Sequence, residues 1–80
     1  YGNVKSMIEL KPRQEAIIAS IQGNRRIVQR LADLGLTPET TVYVLNMAPL
    51  NGPVEIIIRG TKLAIGREIA ENILVRTEGV

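Results

Sequence analysis

The sequence predicts a mainly β fold with minor α. It reads as a small, strongly bent barrel of five short strands, with one amphipathic helix after the first strand and a short helical turn before the last. Three observations predict this. Ile and Val supply 18 of the 36 apolar residues, and side chains branched at Cβ favour the pleated strand over the helix. The apolar runs have strand length and are separated by Pro, Gly and Asn turn signals rather than by linkers. Only one stretch, after the first such run, has helical rather than alternating periodicity. Eighty residues fill one core, so residues 1–80 are read as one domain with its core over about 8–76. Closing the sheet into a barrel removes the strand edges that a small domain without disulfides otherwise has to protect.

Taken in order, residues 1–14 read as a lead-in. Met7, Ile8 and Leu10 offer core contacts there, and Lys11-Pro12-Arg13-Gln14 forms a turn. Glu15–Ile21 is the first strand, ended by Gln22-Gly23. Asn24 then suits a helix N-cap, since its side-chain oxygen accepts an orphan amide of the first turn. Through Gly35 the pattern is helical: Ile27, Val28, Leu31 and Leu34 share one arc, and Arg25, Arg26, Gln29, Arg30 and Asp33 the other. Gly35 stands where a left-handed residue ends a helix, Leu36 supplies the following apolar contact, and Thr37-Pro38 forbids continuation.

Thr40–Met47 alternates, with Val42, Val44 and Asn46 on one face and Tyr43, Leu45 and Met47 on the other. Asn51-Gly52 marks the tip of a hairpin whose returning strand is Val54–Arg59. Gly60 breaks that strand, Thr61–Ile65 is the next, Gly66–Asn72 makes one or two helical turns, and Ile73–Arg76 is the last strand.

Composition excludes several function classes. The chain has no His and no Cys, so zinc fingers, haem ligation, thiol nucleophiles and imidazole acid–base catalysis are impossible. Tyr1 and Tyr43 are its two aromatic residues. Base-stacking platforms and proline-peptide grooves both need several ring faces, so both are disfavoured. No apolar run is long enough to span a membrane, and no basic segment precedes a signal-like apolar stretch. Absence of Cys fits a reducing cytoplasm. The formal net charge is +2, and the excess sits in residues 1–38.

The blocks of this chain, taken in order, resemble the FeoA family. Arg30-Leu31-Ala32-Asp33-Leu34-Gly35-Leu36-Thr37-Pro38 is similar to that family's R-L-x-D/E-L-G-L-x-P-G signature. Ala48-Pro49-Leu50-Asn51-Gly52-Pro53 resembles its A-P-L-G-D-P loop, and Arg59-Gly60 with Leu63-Ala64-Ile65 its R-G-x-x-L-A-L segment. Lys11-Pro12-Arg13-Gln14 is similar to the opening L-K-P-G-Q, and Ala70–Val75 to the closing A-x-x-I-x-V. Arg13 and Glu39 depart from the pattern, each standing where the family has Gly. A side chain at those two turns implies a backbone that does not need positive φ. Asn51-Gly52 in place of Gly-Asp implies that the positive-φ residue of the tip moves one place along.

The resemblance implies an SH3-like barrel, as in the C-terminal domain of iron-dependent repressors. It also implies a non-catalytic cytoplasmic accessory to FeoB, the bacterial ferrous-iron transporter with a GTPase domain. A monomer or weak homodimer is expected, with no nucleic acid and no cofactor. The alternative is a basic SH3-like barrel that binds structured nucleic acid or serves as a repressor-type docking domain, with at most weak transition-metal binding.

The candidate partner-binding residues are Arg25, Arg26, Arg30 and Leu50. Arginine is favoured at interface hot spots, although a basic helix face is also simply a solvated one. Leu50 at a hairpin tip either folds back over the barrel end or is presented to a partner. Leu31, Leu34 and Leu36 read first as the packing face of the helix. No catalytic residue is assigned, because Glu68 and Glu71 share a helical face without a nucleophile. No metal ligand is assigned, because the carboxylates are scattered and hard cations need several oxygen donors.

Overall fold

The computed structural model describes residues 4–79. Residues 1–3 of the lead-in and Val80 of the tail lie outside the described residues. The elements run β1 (Val4–Ser6), a 3₁₀ turn (Met7–Glu9), β2 (Glu15–Ile21), α1 (Arg25–Asp33) and β3 (Thr41–Met47). They continue as β4 (Val54–Ile58), β5 (Thr61–Ile65), α2 (Arg67–Glu71) and β6 (Ile73–Arg76). One sheet holds all six strands in the order β1-β6-β2-β3-β4-β5, every pair antiparallel. The molecule measures 28 × 26 × 24 Å. A flat six-stranded layer would be thin in one direction, so the sheet is curled around its own apolar face.

Among the described residues there are six strands rather than five, because β1 lies in the stretch read as lead-in. Val4, Lys5 and Ser6 have no apolar alternation, and they pair through backbone alone with Arg76, Val75 and Leu74. The 3₁₀ turn that follows is held by a capping box. The Ile8 amide donates to Ser6 Oγ, and the Ser6 amide donates to Glu9 Oε2, each at 3.3 Å. Ser6 Oγ also donates to the Glu71 carbonyl at 2.8 Å, which ties the segment to α2. Met7 and Leu10 are thereby driven into the core.

Two bulges explain where alternation fails. In β2 the register against β6 steps between Ile18 and Ser20, so Ile21 turns back toward the core. In β3 the step against β4 falls between Val44 and Asn46. The extra residue, Leu45, shifts the faces by one. Asn46 is therefore exposed, and Met47 packs on the core instead of lying opposite Val42 and Val44. The interior is aliphatic, with Ile18, Leu36, Val42, Val44, Ile56, Ile73 and Val75 fully buried.

The two departures from the family pattern keep the left-handed backbone after all. Arg13 has φ 68° and Glu39 φ 71°. Tertiary hydrogen bonds hold both: the Arg13 amide donates to Val44 O at 2.6 Å, and the Glu39 amide to Ile18 O at 2.7 Å. Such a conformation costs a non-glycine residue roughly 1–2 kcal/mol, so the surrounding ladder imposes it. Glu39 gains a partner in return. Its carboxylate takes both Arg76 guanidinium nitrogens, at 2.6 and 3.0 Å, pinning the loop before β3 to β6.

The hairpin tip also differs from expectation. Its turn is Pro49–Gly52, closed by the Gly52 amide donating to Pro49 O at 3.1 Å, with φ 58° at Leu50 and 61° at Asn51. Centring the turn on Asn51-Gly52 would need residue 53 to donate the closing hydrogen bond, and Pro53 has no N–H. The turn therefore sits one residue earlier. Gly52 serves a different need, since a Cβ there would lie 2.7 Å from that of Ala48.

Candidate functional site

Helix α1 is built as its sequence dictates. Asn24 Oδ1 accepts the Ile27 amide at 2.9 Å at the N-cap. At the other end Gly35 takes φ 99°, its amide donating to Ala32 O and that of Leu36 to Leu31 O, both at 2.9 Å. This Schellman closure buries Leu31 and Leu36 together.

The helix buries its expected apolar arc except at its end. Leu31 is buried, Val28, Ala32 and Gly35 are half-buried, and Leu34 is 48% exposed. A Cβ on Gly35 would lie 3.3 Å from Ile58 Cγ2, so the end of the helix sits close against β4. The small residues Ala32 and Gly35 permit that approach. Ile27 keeps its contact with the core, and Leu34 at the helix end is left in solvent.

Beside this face lies an apolar groove. Ile27, Leu31, Leu34 and Arg30 form one wall and Ile65 and Ile69 the other, around a cavity of about 320 Å³. A second depression of about 170 Å³, bordered by Glu68 and Asn72, shares Ile27 and Ile69 and extends the groove along α2. The sequence marked one wall of this groove. Nothing local pairs Ile65 and Ile69 with α1, so the other wall had no signal to find it by.

The four candidate residues fall in three places. Arg30 lines the groove. Arg26, four residues earlier, follows it on the same ridge, and Arg25 lies further round the helix. All three are exposed. Leu50, 98% exposed, caps a separate projection and lines neither depression. Among the described residues the ion pair formed is Glu39–Arg76, so the α1 arginines keep their charge for a partner or for water. That pair holds the Glu39 carboxyl below the usual carboxylate range, chiefly through the hydrogen bond from Arg76. It also raises the Arg76 guanidinium.

No group of three acidic residues among those described comes together to hold a metal ion. With neither imidazole nor thiolate in the chain, the donor set does not fit a resident transition metal. No described helix is long and apolar enough to cross a membrane.

A curled antiparallel sheet with a helix inserted between β2 and β3 defines the class: a small SH3-like barrel with an accessory helix. The chain belongs to the FeoA domain family, whose model matches residues 5–77. The crystal structure of an iron uptake regulatory protein (FeoA) is 34% identical, with TM-score 0.81, covering 91% of this chain and 95% of that one. A FeoA protein from Chlorobium tepidum is also 34% identical, with TM-score 0.84, covering 92% and 70%. A manganese-dependent transcriptional repressor superposes with TM-score 0.84 at 16% identity, over 41% of its own length. That likeness is one of fold alone. A comparison with curated protein sequences finds no match.

Proposed function

We propose that this chain is a non-catalytic accessory module of bacterial ferrous-iron uptake, acting in the cytoplasm on the GTPase domain of a FeoB-like membrane transporter. Membership of the FeoA family carries this reading. The apolar groove edged by Arg30 supports it physically, because solvated apolar side chains beside unpaired arginines are what an interface core and its rim require. In this reading Arg26 and Arg30 meet carboxylates of the partner, Arg25 extends the basic rim, and Leu50 makes a second, apolar contact. Rim charges chiefly set the association rate and its salt dependence, so the contact weakens as salt rises.

The test is an amide NMR titration of the labelled protein with the soluble GTPase domain, repeated with Fe(II) alone under anaerobic conditions. Shifts over residues 24–36 and 48–53 with the GTPase domain, and none with iron, are the expected result. Reversing two charges, Arg26→Glu with Arg30→Glu, weakens binding by about tenfold or more and leaves the melting temperature in place. No shift on adding the GTPase domain, or undiminished binding by the stable double variant, overturns this placement. The repressor-type reading has the shared fold behind it. The other form of the alternative, a basic barrel on structured nucleic acid, predicts salt-sensitive binding to DNA or RNA and no response to the GTPase domain.

A further inference from the structure

We propose that Asn51 is a site of spontaneous covalent modification, at which the side-chain amide becomes a carboxylate through ring closure onto Gly52, and that the Pro49–Gly52 turn sets its rate. The inference is independent of the partner reading. Asn51 is exposed at the tip of the β3–β4 hairpin and is followed by the residue that offers an attacking backbone nitrogen no side-chain hindrance. The other asparagines of the described residues are placed differently. Asn24 and Asn72 are tied into helix-end hydrogen bonds, Asn46 lies within β3, and Arg, Ile and Met respectively follow them.

The step balances with water as the one co-reactant. The deprotonated Gly52 nitrogen attacks Asn51 Cγ, a C–N bond forms, and the Cγ–Nδ2 bond breaks to release ammonia. A five-membered succinimide remains. Water then opens it at either carbonyl, giving aspartate or its β-linked isomer, with no oxidation or reduction. Nucleophile and electrophile are neighbours in the chain, so the attack has the advantage of an intramolecular reaction.

In the closed turn this attack is blocked. The Gly52 N–H is engaged by Pro49 O at 3.1 Å, and Asn51 is held at φ 61°. The ring can close only when the turn opens. Opening is favoured by the same residue that strains the turn: Leu50, at φ 58°, is 98% exposed and gains nothing from burial there. The product puts a carboxylate beside Leu50 and lowers the formal net charge from +2 to +1. The β-linked isomer also lengthens the backbone within the turn.

The test is to incubate the folded protein, its Leu50→Gly variant and the chain unfolded in guanidinium chloride side by side at mildly alkaline pH. Peptide mapping and ion exchange follow each sample, with Asn51→Asp as the charge standard. The folded protein is expected to convert at Asn51 within about a hundredfold of the unfolded rate. Leu50→Gly, which relaxes the closed turn, is expected to convert about fivefold more slowly than wild type. That factor corresponds to ~1 kcal/mol. A folded rate more than a hundredfold below the unfolded one, conversion at another asparagine instead, or equal rates in wild type and Leu50→Gly overturns the proposal.

Discussion

The end of α1 and the tip of the β3–β4 hairpin both reverse the chain through left-handed backbone, yet they solve the problem with opposite residues. At the helix end the left-handed position is Gly35, φ 99°, and the apolar residue after it is buried. At the tip the left-handed positions are Leu50 and Asn51, the available glycine is one place too late, and the leucine stands in water. The difference comes from donors. The helix end has amides at both Gly35 and Leu36 to close its two hydrogen bonds. The tip has proline at residue 53, which cannot donate, and the turn moves to the preceding residue at the expense of its backbone strain. Where a local rule and a hydrogen-bond requirement disagree, the hydrogen bond wins.

The largest effect should come from breaking the helix end. Gly35→Ala places a side chain at positive φ, 3.3 Å from Ile58 Cγ2. A loss of about 2 kcal/mol in denaturant unfolding is expected. A loss below about 0.5 kcal/mol would mean that the helix can lift off β4. The opposite sign is expected at the tip. Leu50→Gly removes a strained side chain that buries nothing, so the protein should gain about 0.5–1 kcal/mol. An unchanged midpoint would show that the strain at Leu50 is no larger than the chain entropy glycine adds to the unfolded state.

The smallest effect concerns the third such position, where Glu39 converts strain into an ion pair with Arg76. Its folded pKa lies below its ordinary value of 4.5. The stabilisation is therefore fully present above that value and is lost as pH falls through the lower, folded one. Glu39→Gln should flatten the acid limb of the stability curve and leave stability on the alkaline side nearly level. An acid limb identical to wild type would show that the pair contributes nothing in solution.

Much of the fold was legible in the chain. Strands β2 to β6 and the helix caps follow from alternation, periodicity and turn chemistry, all of which act between near neighbours. Strand β1 escaped because a three-residue strand that joins the sheet through its backbone has no side-chain pattern. The phase changes at Leu45 and Ala19 escaped because a bulge depends on the partner strand. Arg30 and Leu34 could be singled out on the helix. Ile65 and Ile69 could not, since β5 and α2 come next to α1 only after the sheet has curled.

By itself, then, the sequence determined what is local: element types, helix caps, an aliphatic interior, and a composition that excludes imidazole and thiolate chemistry. Its ordered blocks also carried the family. Tertiary structure alone decided which glycine-like positions are truly left-handed, how closely the end of α1 sits on β4, and that Leu34 faces solvent beside Arg30 instead of the core. The physical reason is range. Periodicity and capping are settled within a few residues, whereas helix seating and turn placement depend on hydrogen-bond donors and side-chain volumes supplied from outside the element, such as the amide that Pro53 lacks and the methyl that Ile58 presents to Gly35.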